Sequence, residues 1–472
     1  MTLWESNRKN RQERRPPAKK IRTGAGRGEN RIQLSDHFTY GRLLRFVLSP
    51  VLMMMFTSLY SIVDGFFVSN FVGKTPFAAV NLIMPVAMAL GTVGFMIGTG
   101  GSALVSMTLG QGKKELANQY FSLLVYTSAG FSLFLSILGF LFTPQISAAL
   151  GAEGELLDNC ILYGRILFLS TMPFVLQNVF NSFFVTAEKP ELSLKISVSA
   201  GCTNIVLDFL FIAVFHWGIA GAAIATGMGQ IVGGLIPLLY FSRKNDSLLR
   251  LTKTKFTGSI LVKTCINGSS EMVSNLSASI VNILYNFQLM HIAGENGVAA
   301  YGIIMYVNFI FMAVYLGYSI GSSPIVSYHY GAGNENELQN LFRKGWILMG
   351  GGGILLTLLA ELLNQPLVKI FAGYDAELSA LTSHGFRLYA FAFLLMGINI
   401  WGSAFFTALN NGAVSAAISF LRSLIFQIAA VFLLPLILGI DGIWLAIVAA
   451  ELMAVLLTVC FFAAKRKQYH YF

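Results

Sequence analysis

Two aspartates lie deep inside long apolar stretches of this sequence, where a charged side chain is costly. Asp64 occurs in SLYSIVDGFFV, and Asp208 occurs in CTNIVLDFLFIAVF. Moving a carboxylate into the hydrocarbon of a bilayer costs at least about 2.5 kcal/mol on insertion scales, so an aspartate kept there indicates a functional site. Such a carboxyl group can take up and release a proton, or it can bind a monovalent cation such as Na⁺.

Polar side chains accompany the two aspartates on four predicted helices. They are Tyr60, Asn178, Asn181, Asn204 and Thr226. Tyr60 and Asn204 each precede an aspartate by four residues, so each pair shares one face of its helix. The sequence therefore predicts one polar cluster in the first half of the chain. Its occupant is a proton or, alternatively, a Na⁺ ion held by Asp64, Asn178, Asn181 and Asp208.

The composition places these residues in a membrane protein. Of the 472 residues, 55% are hydrophobic and only 11% are charged, whereas a soluble domain carries about 25% charged residues. Helices satisfy their own backbone hydrogen bonds in lipid, so apolar stretches of this length predict an all-α polytopic protein. We predict twelve spans, near 43–72, 78–108, 119–143, 158–187, 191–215, 219–242, 260–292, 298–328, 340–364, 379–409, 413–437 and 442–464.

Basic residues in the short loops predict the orientation. Lys and Arg concentrate on the side that carries Lys113, Lys189, the segment 243–255 and the residues 465–467. The positive-inside rule places that side in the cytoplasm, with both termini there and the chain in the plasma membrane of a prokaryote. The first 34 residues hold ten basic and three acidic residues. We expect a disordered cytosolic tail, with binding to anionic membrane lipid as an alternative and no nucleic-acid partner.

An internal repeat divides the chain. VSMTLGQGKKELA at 105–117 is answered by VSYHYGAGNENEL at 326–338, an offset of 221 residues, and Phe183-Phe184 is answered by Phe405-Phe406 at an offset of 222. Each half contains six spans, so both halves enter the membrane from the same side and form two pseudo-symmetric six-helix bundles. The expected parts are a tail at 1–38, a first lobe at 39–242, a linker at 243–258, a second lobe at 259–466 and a cytosolic end at 467–472.

The second half offers different candidates. Glu271 is its candidate carboxylate, for a substrate or an ion, although a glutamate near the interface can also simply reach water. At the repeat offset Asn399 corresponds to Asn178, whereas neither aspartate of the cluster has an acidic counterpart, so acidic chemistry is expected in one lobe only. Arg422 is predicted to be an interfacial anchor. Pro50 is a candidate site for a helix bend, or an ordinary proline near a helix start.

Several segments together resemble the multidrug and toxic compound extrusion (MATE) family, in its DinF-like and MepA-like prokaryotic branch. The resemblance runs from about residue 40 to 465. Its carriers are SLYSIVDGFFVS, GGSALVSMTLGQGKKELA, NSFFVTAEKPELS, NIVLDFLF with GIAGAAIAT, and SSPIVSYHYGAGN. It implies a secondary active antiporter that exports amphipathic, often cationic drugs in exchange for H⁺ or Na⁺, by alternating access of two lobes.

The resemblance also implies residue roles. In the DinF-like pattern, the ion-coupling residues match the seven polar residues of the first-half cluster. Other branches place a Na⁺ site in the second lobe, with a glutamate matching Glu271 and an aspartate that GFRLYAFAFLLMGINIWGS lacks. A lipid-linked oligosaccharide flippase of the same superfamily is one alternative, although it usually has fourteen spans and a cationic cavity.

An intramembrane enzyme is the other alternative, but no catalytic motif stands out and we expect no enzyme activity. The four cysteines are scattered, which excludes a disulfide framework, and His residues form no cluster. We expect no cofactor and no metal other than a transported cation. Because one chain holds both lobes of the pathway, a monomer should suffice.

Overall fold

The computed structural model describes residues 32–373 and 375–472. Residues 34–472 form one compact unit, built from helices and short connections. The predicted disordered tail, 1–38, lies outside the described residues up to residue 31. For residues 34–38 the prediction of disorder is wrong, because Leu34 and Phe38 are both fully buried.

Six membrane-spanning helices form the first lobe. They are α1 (Tyr40–Phe71), α2 (Lys74–Gly110), α3 (Lys114–Ala149), α4 in two pieces (Gly154–Leu169 and Thr171–Thr186), α5 (Pro190–Val214) and α6 (Gly218–Ser242). The two pieces of α4 meet at Ser170 with a bend of 49°. The last turns of α5, Phe209–Val214, are π-helical.

Six more helices form the second lobe. A continuous helical segment, Gly258–Ala332, breaks at Gly294, so α7 covers 258–293 and α8 covers 295–332. Gly294 has φ 62°, a conformation that glycine adopts without a Cβ clash, which explains the reversal at this residue. The lobe continues with α9 (Glu335–Ala372), α10 (Ala376–Ala408), α11 (Gly412–Leu438) and α12 (Ile440–Tyr469).

The prediction of twelve spans is confirmed. Within residues 32–373 and 375–472, ten helices are long and apolar enough to cross a membrane, the bent α4 adds one, and the longest of the ten divides at Gly294. The predicted spans begin and end within a few residues of the observed helices, except that α3 and α9 continue for about two further turns beyond residues 143 and 364.

The repeat also appears in the backbone of two equivalent turns. Glu188, after α4, has φ 59°, and Asn410, after α10, has φ 57°. Each turn closes with the same hydrogen bonds, so that Lys189 N donates to Phe184 O at 2.8 Å and Asn411 N donates to Phe406 O at 2.9 Å. Both turns obey the 222-residue offset read from the sequence, which supports a duplicated six-helix unit.

The two lobes touch backbone to backbone at one end, which we call the Gly110 end. A Cβ added to Gly110 on α2 would lie 2.0 Å from the carbonyl oxygen of Tyr328 on α8. Deeper along the same interface, about 21 Å before Gly110 on α2, the carbonyl oxygen of Met96 would lie 1.9 Å from a Cβ on Gly268 of α7. Only glycine permits such approaches, as in other membrane helix contacts with small residues at the interface.

Two connecting segments cover the Gly110 end. The linker forms no helix from residue 243 to 257, and it lies along α3, where Arg250 N donates to Asn118 Oδ1 at 2.9 Å. The location of residues 467–472 in the cytosol stays a prediction. In the structure α12 runs to Tyr469, and Tyr471 is fully buried in an aromatic cluster beside Phe342, with ring centroids 4.8 Å apart.

Candidate functional site

The aspartate pair predicted from the sequence is present. Asp64 on α1 and Asp208 on α5 lie within hydrogen-bonding range of each other, and Asp208 is fully buried. Asp208 is the last α-helical residue before the π-helical turns of α5. Single π-helical turns are frequent at functional sites because they re-aim side chains without ending the helix.

Two helices supply the side chains next to the pair. Asn204, one turn before Asp208, is 3% exposed and lies close to Asp64. Tyr60 packs its ring against Gly201, where a Cβ would lie 3.0 Å from the tyrosine Cδ1, and Asp64 acts on it electrostatically. Small size at Gly201 therefore lets α1 and α5 approach closely enough to pair their carboxyl groups.

Tyr163 is a member of the site that sequence reasoning missed. This residue of α4 is 1% exposed and interacts electrostatically with both Asp64 and Asp208. Asn159 precedes it by four residues, but that amide donates to Glu155 O on its own helix at 2.9 Å. Tyr163 is identified instead by the apolar cluster that it shares with Val68 of α1 and Ile212 of α5.

The polar atoms of the cluster are left without protein partners. Six buried atoms of this cluster make no hydrogen bond within the described part of the chain, namely Asp64 Oδ1, both Asp208 oxygens, both Asn204 amide atoms and Thr226 Oγ1. The two carboxyl groups can form a hydrogen bond with each other only if one of them is protonated, because two ionised carboxylates can only accept. The cluster is thus arranged to receive a proton or a cation.

The two remaining predicted members lie apart from the aspartates. Asn178 is buried and donates to Phe174 O on its own helix at 3.1 Å. Asn181 accepts hydrogen bonds from Ser193 and Ser197 of α5, each at 3.4 Å. Ser197 precedes Asn204 by two helical turns, about 10 Å along the axis. A direct role for Asn178 and Asn181 in holding an ion stays a prediction.

Residues 32–373 and 375–472 contain no group of three or more His, Cys, Asp or Glu side chains that could hold a metal ion. For Na⁺, the aspartate pair supplies carboxylate oxygens and Asn204 and Thr226 supply unpartnered oxygens. Oxygen ligands of this kind suit a hard cation. The donor set fits both occupants considered from the sequence.

A buried ion pair occupies the second lobe, and this overturns two predictions. Arg422 was predicted to be an interfacial anchor, but its side chain is 11% exposed and its Nη2 lies 2.9 Å from Glu451 Oε1. Arg422 Nε donates to both oxygens of Glu451, at 2.9 and 3.0 Å. Because Glu451 is 1% exposed, acidic groups are not confined to the first lobe. Its signal in the sequence is one carboxylate inside IWLAIVAAELMAVLL.

Asn399 adds further hydrogen bonds to the Glu451 side of this ion pair. Its amide donates to Glu451 Oε2 at 2.7 Å and to Glu451 O at 2.9 Å, and Thr458 Oγ1 donates to its carbonyl oxygen at 3.1 Å. Arg422 itself lies in a π-helical turn of α11, Leu421–Ile425. The equivalent residues Asn178 and Asn399 therefore have different partners, and the second-lobe cluster is charge-neutral.

Glu271 and Pro50 remain candidates. Glu271 is half-buried, and Arg422 is the opposite charge that acts on it. Pro50 lies inside α1, which runs without interruption from Tyr40 to Phe71. Its carbonyl oxygen would lie 2.8 Å from a Cβ on Gly317 of α8, so Pro50 marks a crossing between the lobes.

The five residues centred on Ser319 match a motif of hydrolases that was not noticed in the sequence. Residues 317–321, GYSIG, have the GxSxG spacing of a nucleophile elbow. That motif needs a strand followed by a sharp turn and a helix. Here all five residues lie within α8, so the match does not build a hydrolase site.

The chain is similar to known proteins over most of its length. The MatE family model matches residues 50–210 and 272–433. Multidrug export protein MepA of Staphylococcus haemolyticus (strain JCSC1435) is 23% identical over 437 residues, which covers 92% of this chain and 94% of that protein. A second MepA, from Staphylococcus aureus (strain MSSA476), is 22% identical over 414 residues, 87% of this chain and 91% of that protein.

A solved structure described as the outward-facing conformation of a multidrug resistance MATE family transporter of the MOP superfamily has a TM-score of 0.88. It is 22% identical, and the match covers 94% of this chain and 99% of that one. A crystal structure of MATE in complex with MaL6 has a TM-score of 0.84 at 23% identity, covering 90% and 96% of the two chains. These structures share the fold of this chain.

Proposed function

The chain belongs to the MatE family, and we propose that it is a secondary active multidrug efflux antiporter in a bacterial plasma membrane. It exports amphipathic, often cationic compounds in exchange for H⁺ or Na⁺. The curated relatives are multidrug export proteins that match nearly the whole chain, which supports this function.

The aspartate pair in the first lobe is the observation that carries the proposal. Two buried carboxyl groups at close range repel each other when both are ionised, and a proton or Na⁺ ion removes that repulsion. The second lobe contains a buried carboxylate as well, but Arg422 already neutralises Glu451. The Asp64 and Asp208 pair has buried carboxylate oxygens without a hydrogen-bond partner, whereas both oxygens of Glu451 accept from Arg422, so we assign ion coupling to the aspartate pair.

Alternating access follows from the way in which the lobes meet. The loops at the Gly110 end carry the basic residues, which supports a cytoplasmic location for this end and for both termini. The backbone contact of Gly110 with Tyr328 closes the lobes there. Occupation of the aspartate pair from outside favours release of the drug to the outside, and loss of the ion to the cytoplasm resets the transporter. Pro50 lies where a bend in α1 would alter the contact between the lobes.

The test is transport of a fluorescent cationic dye by the purified protein in proteoliposomes, with a pH gradient and a Na⁺ gradient imposed separately. Asp208→Asn keeps the size of the side chain and removes its charge and its proton. We expect it to abolish the response to the gradient that drives the wild type. Asp158→Asn, an exposed residue on α4, is the matched control. Wild-type transport by Asp208→Asn under both gradients would contradict the assignment.

A further inference from the structure

A short segment in front of α1 joins the two lobes at the Gly110 end. We propose that Leu34–Thr39, which we call the clasp, fastens the first lobe to α9 of the second lobe and must release before this end can open. The inference rests on the proposed alternating access, because only such a transporter opens at the Gly110 end. It assigns a conformational role to residues outside the transport site.

One residue of the clasp, Phe38, is held at both its N–H and its carbonyl oxygen by charged side chains of α9. Phe38 N donates to Glu337 Oε1 at 2.9 Å, and Lys344 Nζ donates to Phe38 O at 2.6 Å. His37 Nδ1 lies 2.5 Å from the other oxygen of Glu337. Hydrogen bonds with an ionised partner are about twice as strong as neutral ones. Glu337 is only 4% exposed, so water competes little for these bonds.

The side chain of Phe38 fills the contact between the lobes. It is fully buried, with its ring centroid 6.0 Å from that of Phe46 on α1 and 6.4 Å from that of His329 on α8. Both contacts are edge-on, the arrangement that aromatic rings prefer. The clasp therefore combines a buried apolar side chain with a captured peptide, and it contacts both lobes.

The start of the clasp is pinned to the first lobe. Leu34 is fully buried, and its N–H donates to Glu188 Oε1 at 2.6 Å. Glu188 is the residue with positive φ in the turn after α4. This bond fixes the direction in which the clasp leaves the first lobe and so presents Phe38 to α9.

The clasp can act only while the lobes are close. Phe38 is two residues from Tyr40, the first residue of α1, so about 7 Å of chain joins the captured peptide to the first lobe. A wider separation of α1 from α9 must break the bonds to Glu337 and Lys344. In the other half, the linker before α7 is held to α3 by neutral groups instead, since Arg250 N donates to Asn118 Oδ1 at 2.9 Å and Thr252 N donates to Ser122 Oγ at 2.8 Å.

The test measures the distance between the lobes in the full-length protein. Spin labels on Lys113→Cys and Asn336→Cys, both exposed, report the Gly110 end by electron spin resonance in lipid nanodiscs, with the native cysteines replaced by serine. We expect Glu337→Gln to raise the ratio of long to short distances by about tenfold. Glu335→Gln, an exposed acid two residues earlier on α9, should leave the ratio unchanged.

Further variants separate the clasp from local damage to α9. Lys344→Met removes the donor to the carbonyl oxygen of Phe38 and should shift the distances in the same direction as Glu337→Gln. Glu188→Gln should have a smaller effect, and that effect should vanish in the Glu337→Gln background because the clasp is already free. Unchanged distances in Glu337→Gln and Lys344→Met would overturn the proposal, as would a full additional effect of Glu188→Gln in that background.

The outcome is independent of the coupling test. Distances that shift as expected, together with dye transport that ignores both gradients, would leave the clasp standing and refute ion coupling. If Asp208→Asn loses gradient-driven transport while Asp158→Asn keeps it, and the label distances do not shift, the clasp alone is refuted.

Discussion

The charges of Arg422 and Glu451 should be strongly coupled in their effect on the stability of the second lobe, and a double-mutant cycle can measure that coupling. Arg422→Met leaves the Glu451 carboxylate, 1% exposed, with only the amide of Asn399 as a donor. Removing one partner of a buried pair typically costs about 3–5 kcal/mol, because it leaves an uncompensated charge. Glu451→Met likewise leaves the guanidinium group of Arg422 without its carboxylate partner.

The double variant is the informative one. Arg422→Met with Glu451→Met removes both charges and keeps much of the volume, and such replacements are often close to neutral. We therefore expect either single variant to lose about 3–5 kcal/mol of unfolding free energy and the double variant to lose far less than their sum. Unfolding by SDS in mixed micelles measures all three. As a control, Asp246→Asn disrupts the Lys189–Asp246 pair, where Asp246 is 61% exposed; such pairs contribute about 0–1 kcal/mol.

The result that would refute this reasoning is additivity. If the double variant loses the sum of the two single losses, the side chains act separately and the ion pair is not the unit of stability. Glu271→Gln should be combined with Arg422→Met, because Arg422 also acts on Glu271. A rescue by Glu271→Gln alone would mean that Glu271, rather than Glu451, carries the uncompensated charge.

Two more predictions concern the lobe contact and the aspartate pair. Gly268→Ala places a Cβ 1.9 Å from Met96 O, so the lobes must separate, and the label distances at the Gly110 end should lengthen; Gly130→Ala, with nothing within 4 Å, should change nothing. Unchanged distances in Gly268→Ala would show that the contact yields locally. Tyr163→Phe, which removes a hydroxyl group that interacts electrostatically with both aspartates, should lower gradient-driven dye transport, whereas Tyr126→Phe, 49% exposed, should not. Equal rates for both tyrosine variants would remove Tyr163 from the site.

The architecture was predictable because the bilayer imposes it. Lipid leaves the backbone no partner but itself, so long apolar stretches become helices and polar breaks become turns. Gly294 and the turn residue Glu188 lie at such breaks. The additional length of α3 and α9 was less visible, because helices that project beyond the hydrocarbon carry polar residues that resemble loops.

The aspartate pair was partly predictable for a related reason. A carboxylate is so costly in lipid that Asp64 and Asp208 stand out against their apolar neighbours, and helical spacing places Asn204 on the same face as Asp208. Spacing does not report contacts between helices, however. It could not show that Asn181 bonds to Ser193 and Ser197 instead.

The sequence by itself determined the twelve helices, the duplication and the two aspartates, since each depends on local composition or on an exact offset along the chain. Only the tertiary structure decided which charges are neutralised. Arg422 and Glu451 lie 29 residues apart and on different helices, yet they form one pair. The clasp is similar, because Phe38 and Glu337 are 299 residues apart. Partners of this kind are set by how helices pack, which no local pattern records.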